Sequence, residues 1–341
     1  MAGQNTRQMT RLMTPGRILF AIFAVVLLLA LPHLATSAEQ RELAVFFLIN
    51  ALLVCSYRLL TLTGEWSLAH VVMMGVGAYA SALLAKRLGL PVPVAIPLGA
   101  LVAGLVAYIL SFPLFRMKGF YFLIGSFAAG EVIRLAWRLS DLRPLFGGPK
   151  GIRSIPGWED WEIFGHKIAW WSAVNYYYLA LAIVSVSLLV LWRIEKSRFG
   201  LTFHALHWQD KLAESVGVSA RAYRTTALVA ASAFAGLAGG LYVHYLGTVS
   251  PNAFEVSRMV DVLVWVIVGG TATFYGPLLG LLVLTIINEL VLRSLGVDQA
   301  RPLFLGGILI LAVLFLPKGL ESLVERARAR LSQDRSATHR S

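Results

Sequence analysis

Charge is scarce in this chain. Only 14% of its 341 residues are Asp, Glu, Lys or Arg, against about 25% in an ordinary soluble domain. Hydrophobic residues make up 57%, and the mean hydropathy is +0.71. Too little polar surface exists to cover a globule, which excludes a soluble globular enzyme and a disordered chain. Cysteine is nearly absent. Cys55 stands alone, so an internal disulfide scaffold is excluded. Enzyme motifs are missing too. No Gly-Lys dipeptide occurs, so the chain has no Walker A phosphate loop, and neither His-Glu-x-x-His nor Gly-x-Ser-x-Gly is present. Acid is scarcer than base, 18 residues against 30, for a formal charge of +12. With this hydropathy the surplus reads as the basic side of a membrane protein rather than as a nucleic-acid surface.

What the chain has is long apolar runs. A spanning helix needs about 20 mostly apolar residues. Ten runs qualify: Arg17–Leu34, Leu43–Leu62, Ser67–Ala85, Val92–Leu114, Phe120–Leu139, Trp171–Trp192, Thr225–Leu246, Phe254–Gly270, Gly276–Leu292 and Leu303–Leu316. The third, eighth and tenth are short or interrupted by Gly, so the expectation is an all-α polytopic transmembrane bundle of 8–10 helices. Residues 1–16 precede it, the transmembrane domain is 17–320, and 321–341 form a basic tail. Lys and Arg concentrate on one side, at Arg7, Arg11 and Arg17, at Arg116 and Lys118, between Arg193 and Arg224, and beyond Lys318. The positive-inside rule then places both termini in the cytoplasm and the stretch from Leu142 to Lys167 outside. The first run also resembles a signal peptide ending near Thr36-Ser37-Ala38, although it is long for one. The Arg-rich tail suits a short helix on anionic lipid.

Small residues repeat at helical spacing. Ser232, Gly236 and Gly240 share one face, and Gly276 and Gly280 share another. Such faces let helices pack closely in lipid. The ionisable residues within the runs are Arg58, His70, Glu131, Arg134, Asp261 and Glu289. Each costs roughly 2.5–3.5 kcal/mol at mid-membrane. Four of them, His70, Glu131, Arg134 and Asp261, are candidates for a translocation path or gate. Glu131 and Arg134 lie three apart and are placed to pair. Arg258 stands three residues before Asp261 in the same way. His70 has no metal-ligand partner at useful spacing, so it reads as a hydrogen-bonded helix histidine, and no metal site is expected. Between residues 193 and 224 lies a soluble stretch with apolar Leu212, Val216 and Val218, which suggests short helices broken at Gly217.

Six segments in chain order resemble the permease subunits of branched-chain amino acid ABC importers. They are Ser67-Leu68-Ala69-His70 leading to Gly75-Val76-Gly77-Ala78-Tyr79, then Gly119-Phe120-Tyr121-Phe122 with Gly130-Glu131-Val132-Ile133-Arg134, then Gly147-Gly148-Pro149-Lys150-Gly151-Ile152. Ser197-Arg198-Phe199-Gly200 with Ala213-Glu214-Ser215-Val216-Gly217 follows, then Val268-Gly269-Gly270 with Gly276-Pro277, and last Pro317-Lys318-Gly319-Leu320. The resemblance implies two inverted four-helix repeats, the second to fifth and seventh to tenth runs. It implies a bacterial inner-membrane complex with a second homologous permease, two cytoplasmic ATPase subunits and an extracytoplasmic substrate-binding protein. ATP and Mg would sit on the ATPases, with no cofactor on this chain and no nucleic acid partner. Residues 193–224 would be the coupling loop, with Ala213, Glu214, Ser215 and Gly217 at the ATPase contact. The chain departs from the family pattern at Ala69, Glu65, His207-Trp208-Gln209-Asp210 and Thr271-Ala272-Thr273. Urea and short-amide permeases share the same landmarks, so they are the alternative substrates. An ion-coupled secondary transporter is the alternative of a different class.

Overall fold

The computed structural model describes residues 28–35, 37–163, 166–168, 170, 172–289, 301–315 and 319–322. Twelve labelled helices carry the fold among these residues. They are α1 (Ala38–Thr61), α2 (His70–Leu88), α3 (Val92–Leu114), α4 (Phe120–Ala136) and a single turn α5 (Arg143–Phe146). Then come α6 (Ala173–Lys196), α7 (Arg198–Trp208), α8 (Asp210–Ser215), α9 (Ala220–Leu246), α10 (Val256–Gly269), α11 (Gly276–Ile287) and α12 (Arg301–Phe315). Residues 28–34 are also helical; the rest of the first expected span, residues 1–16 and 323–341 lie outside the described residues. Among the described residues five helices are long and apolar enough to cross a membrane: α1, α2, α3, α6 and α9. The helices at the eighth, ninth and tenth runs are shorter, at 14, 12 and 15 residues.

Local chemistry sets the ends. Ser37 caps α1 through a capping box, its Oγ accepting from Gln40 N at 3.2 Å while its own N donates to Gln40 Oε1. Pro91 precedes α3, where a missing N–H costs nothing, and Pro93 lies in the first turn. Gly247 ends α9 in the left-handed conformation. The expected soluble stretch is narrower than 193–224. Arg193 and Lys196 continue α6, where a helix C-terminus favours cations, and Ser219 caps α9.

Helix α1 is the axis of the packing, with 78% of its most apolar window buried. Helix α9 packs on α1, α2 and α3; α1 also packs on α6, α10 and α11; α10 packs on α11 and α12. The first helix of each half therefore lies against the second and third of the other, as two interlocked repeats would. At one end of the bundle, α7 and α8 cover the connections. At the other, the stretch after α4 contains a two-stranded antiparallel hairpin, β1 (Trp161–Ile163) and β2 (His166–Ile168), a small departure from an all-helical chain. That stretch is stitched to the end of α9 by reciprocal backbone bonds between Ile152 and Val249, both 2.9 Å. Gly151 (φ 68°) allows the approach, since a Cβ there would lie 2.7 Å from Ser250 Cα.

Candidate functional site

Three features stand out from an otherwise apolar bundle. The first is a network of charges at the α7–α8 end. Arg58, fully buried near the end of α1, makes a two-pronged ion pair with Glu195 in the last turn of α6, Nε to Oε2 at 3.0 Å and Nη2 to Oε1 at 2.9 Å. Its third nitrogen, Nη1, donates to the Thr271 carbonyl between α10 and α11. A paired, fully bonded guanidinium is the form in which a buried cation is tolerated. At the same end of the bundle Arg224 on α9 donates to Asp210 Oδ1 at 2.9 Å and lies 3.2 Å from Glu65 in the α1–α2 connection. Burial raises the Glu65 carboxyl above its ordinary value, with Arg224 opposing the shift. Glu321 closes the network, accepting from the backbone N–H of Ala272 and Thr273 at 2.6 and 2.7 Å and from the Thr273 hydroxyl. The α7–α8 segment is thereby tied into the bundle at two points, through Glu195 just before it and Asp210 at the start of α8.

The second feature is an apolar groove on that segment. About 750 Å3 is lined by Ala205, Trp208, Gln209, Leu212, Ala213 and Val216. Trp208 is 81% exposed and Val216 is 76% exposed. Of the residues expected at the ATPase contact, Glu214, Ser215 and Gly217 lie on the surface. Ala213 faces inward, 6% exposed, and packs with Leu206 and Ala220 to hold the segment down. Gly217 (φ 88°) takes the left-handed turn that separates α8 from α9.

The third feature is a cavity of about 440 Å3 between α1, α10 and α11. Each helix contributes one regular face: Leu43, Phe46 and Asn50 from α1, Arg258, Asp261 and Trp265 from α10, and Thr285 with Asn288 from α11 and the turn after it. Arg258 is held over the Tyr242 ring at 4.9 Å and donates to Asn50 Oδ1 at 3.4 Å.

The expected path residues separate in space. Only Asp261 lines this cavity. Glu131 and Arg134 form a two-pronged pair on α4, closest at 2.7 Å, and Arg134 also reaches Glu255 before α10 at 3.6 Å. They bind α4 to α10. His70 begins α2, with Nε2 3.0 Å from Ser56 Oγ. Among the described residues no group of three His, Cys, Asp or Glu is placed to hold a metal ion. The small residues lie at helix crossings. A Cβ on Gly240 would lie 2.9 Å from Ile96, one on Gly236 would lie 2.6 Å from Ala103 Cβ, and Ser232 is fully buried on the same face. Gly276 and Gly280 are pressed against the backbone at Gly270, Trp265 and Gly269. Glu195 and Glu321 escaped the sequence reading. Arg58 was the only signal, an intramembrane cation whose partner had to lie far along the chain.

Residues 41–314 match the family model described as branched-chain amino acid transport system, permease component. The chain belongs to this permease family. It is 30% identical over 321 residues to the high-affinity branched-chain amino acid transport system permease protein LivM of Escherichia coli (strain K12), covering 89% of this chain and 74% of that one. LivM of Salmonella typhimurium (strain LT2) is 29% identical over the same shares. No solved structure matches significantly. The membership agrees with the apolar spans, so this is a multi-pass membrane permease, the transport component of an ABC importer for branched-chain amino acids. Within a permease, the charge network, the groove and the cavity become parts to be assigned.

Proposed function

We propose that this permease works in a bacterial inner membrane with both termini in the cytoplasm, pairs with a second homologous permease, and receives its substrate from an extracytoplasmic binding protein. Two cytoplasmic ATPases dock on α7 and α8 and hold the ATP and Mg; this chain transports and does not catalyse a reaction. The observation that carries the reading is the groove of Trp208, Leu212 and Val216, large apolar side chains exposed on the basic end of a membrane protein. An exposed apolar patch with polar neighbours is what a protein partner covers. Lys211 and Glu214 supply the polar rim. The charge network gives the docked segment a grip on the transmembrane helices. Movement of α8 pulls on α9 through Asp210 and Arg224, and movement at the start of α7 pulls on α1 and the α10–α11 connection through Glu195 and Arg58.

The test is substrate-stimulated ATP hydrolysis and uptake by the reconstituted importer. Gly217→Pro removes the left-handed turn, since proline fixes φ near −65°. It should assemble a permease that no longer couples hydrolysis to uptake, whereas Glu214→Ala should be mild because an exposed ion pair contributes about 0–1 kcal/mol. Normal coupled transport by assembled Gly217→Pro sinks the docking assignment. Orientation is read separately. In a Cys55→Ser background, a cysteine at Ser154 should label from outside and one at Ser215 only after permeabilisation.

A further inference from the structure

The cavity between α1, α10 and α11 has a composition that the docking and packing roles leave unexplained. Arg258 and Asp261 are three residues apart on α10, so they share a face with Cβ atoms about 5–6 Å apart. Opposite charges are brought side by side to the wall of a space large enough for a small molecule, within the roughly 300–1,000 Å3 of ordinary ligand pockets. Ionisable groups inside membrane segments are expensive and mark substrate pathways. The walls differ in kind. Phe46 and Phe47 of α1 and Trp265, one turn beyond Asp261, give an apolar surface, while Asn50 and Thr285 add hydrogen-bonding groups. Arg258 is not free to swing, because the Tyr242 ring and the Asn50 amide position it. Glu289 sits toward the start of α1, where it also lines a neighbouring cleft with Gln40 and Leu43.

A site for a simple anion would have no use for Asp261, and a site for a simple cation no use for Arg258. We infer that the cavity binds a zwitterionic α-amino acid with an apolar side chain. Arg258 takes the α-carboxylate, Asp261 the α-ammonium, and Phe46, Phe47 and Trp265 the aliphatic chain. Neighbouring carboxylate and ammonium groups on one carbon match neighbouring residues on one helix face. The inference rests on the reading of the chain as an amino acid permease and gives that reading a residue-level selectivity inside the membrane, separate from the binding protein.

Substrate protection tests it. The assembled importer carries Cys55→Ser and Thr285→Cys, which places one thiol on the cavity wall, and its ATP-driven leucine uptake is checked first. Failure of uptake in the unmodified importer counts against the permease reading alone. Labelling by a small methanethiosulfonate reagent is then timed without ATP or binding protein. Leucine at about ten times a millimolar Kd should slow it about ten-fold. Isoamylamine, which lacks the carboxylate, and isocaproate, which lacks the ammonium, should each protect far less. Adding Arg258→Gln should bring the ratio of labelling rates without and with leucine to about one, each variant being compared with its own unprotected rate; Asp261→Asn serves the same purpose where the arginine variant does not assemble. Absence of protection by leucine overturns the site, and so does equal protection by the two truncated analogues.

Discussion

On one face of α1, α9 meets α2 and α3 with backbone close to backbone. On another, α10 and α11 pack on it through fewer close approaches and leave a cavity with polar groups on its wall. The contrast follows from side-chain size. Gly77, Gly99, Gly236, Gly239 and Gly240 let the first group close, and a Cβ on Gly77 would run into the backbone of Gly236. Lipid tails are as apolar as leucine, so close van der Waals contact at small residues is what holds such helices together. Helices α10 and α11 are just as close to each other, through Gly269 and Gly280, yet Arg258 and Trp265 of α10 meet Phe46 and Phe47 of α1 across the cavity, side chains too large to interlock as the glycines do. The first group makes one tightly packed block, and the second is a close pair set against α1 with a cavity between. The same packing scheme thus gives two different interiors through the residues at one crossing.

The largest effect should come from the residue that bridges the two groups. Arg58→Ala leaves Glu195 buried and unpaired and releases the Thr271 carbonyl; losing one partner of a buried pair costs about 3–5 kcal/mol. Thermal unfolding of the purified protein should show it, and the double replacement Arg58→Met with Glu195→Leu should be milder than either single loss. If both singles unfold like wild type, the pair is not holding α1 to α6.

Next comes the tightly packed block. Gly236→Leu or Gly240→Leu should lower the level of assembled permease, since overpacking costs about 1–3 kcal/mol and more where backbone must move. Gly306→Leu on α12, where nothing lies within 4 Å, is the control and should leave the level unchanged. Equal tolerance at all three positions would erase the contrast between the groups.

Trp208→Ala should hardly move the unfolding temperature, because the side chain is exposed, but it should weaken ATPase association by about 2 kcal/mol or more if the groove is the docking centre. Co-purification of the partner subunits measures it. The smallest effect concerns Glu65. Its carboxyl is raised in the fold, so the folded protein holds this proton more tightly than the unfolded chain. Stability therefore rises as pH falls through the raised value and levels off below the ordinary 4.5. The unfolding temperature of wild type minus that of Glu65→Gln should increase over that window, and a difference that shrinks instead contradicts the burial.

Much of the bundle was legible because its cause is local. The limits of α3 coincide with the expected run Val92–Leu114, set by an apolar stretch that follows Pro91. The break at Gly217 was likewise readable from residue type. The hairpin after α4 was not, since three-residue strands carry no periodicity of their own. The charge network was hidden for a different reason. Glu195 reads as the polar end of a helix and Glu321 as the start of a solvated tail; only the fold shows that Arg58 and the backbone of Ala272 and Thr273 await them. For the cavity, Asp261 was singled out, while Arg258 was read as its neutraliser and the facing residues of α1 and α11 had no sequence link to either.

The Arg58–Glu195 pair also has a history during synthesis. Its partners are 137 residues apart, so at about 5–20 residues per second Arg58 emerges roughly 7–27 s before the carboxylate that will neutralise it. Placed three residues from the end of α1, it can wait with its guanidinium reaching the aqueous boundary, as long basic side chains do. In that interval the unpaired cation opposes movement of that end of α1 into the hydrocarbon core. When α6 arrives, the same charge is drawn inward. A residue that first keeps one helix end at the aqueous boundary later fastens that helix to another.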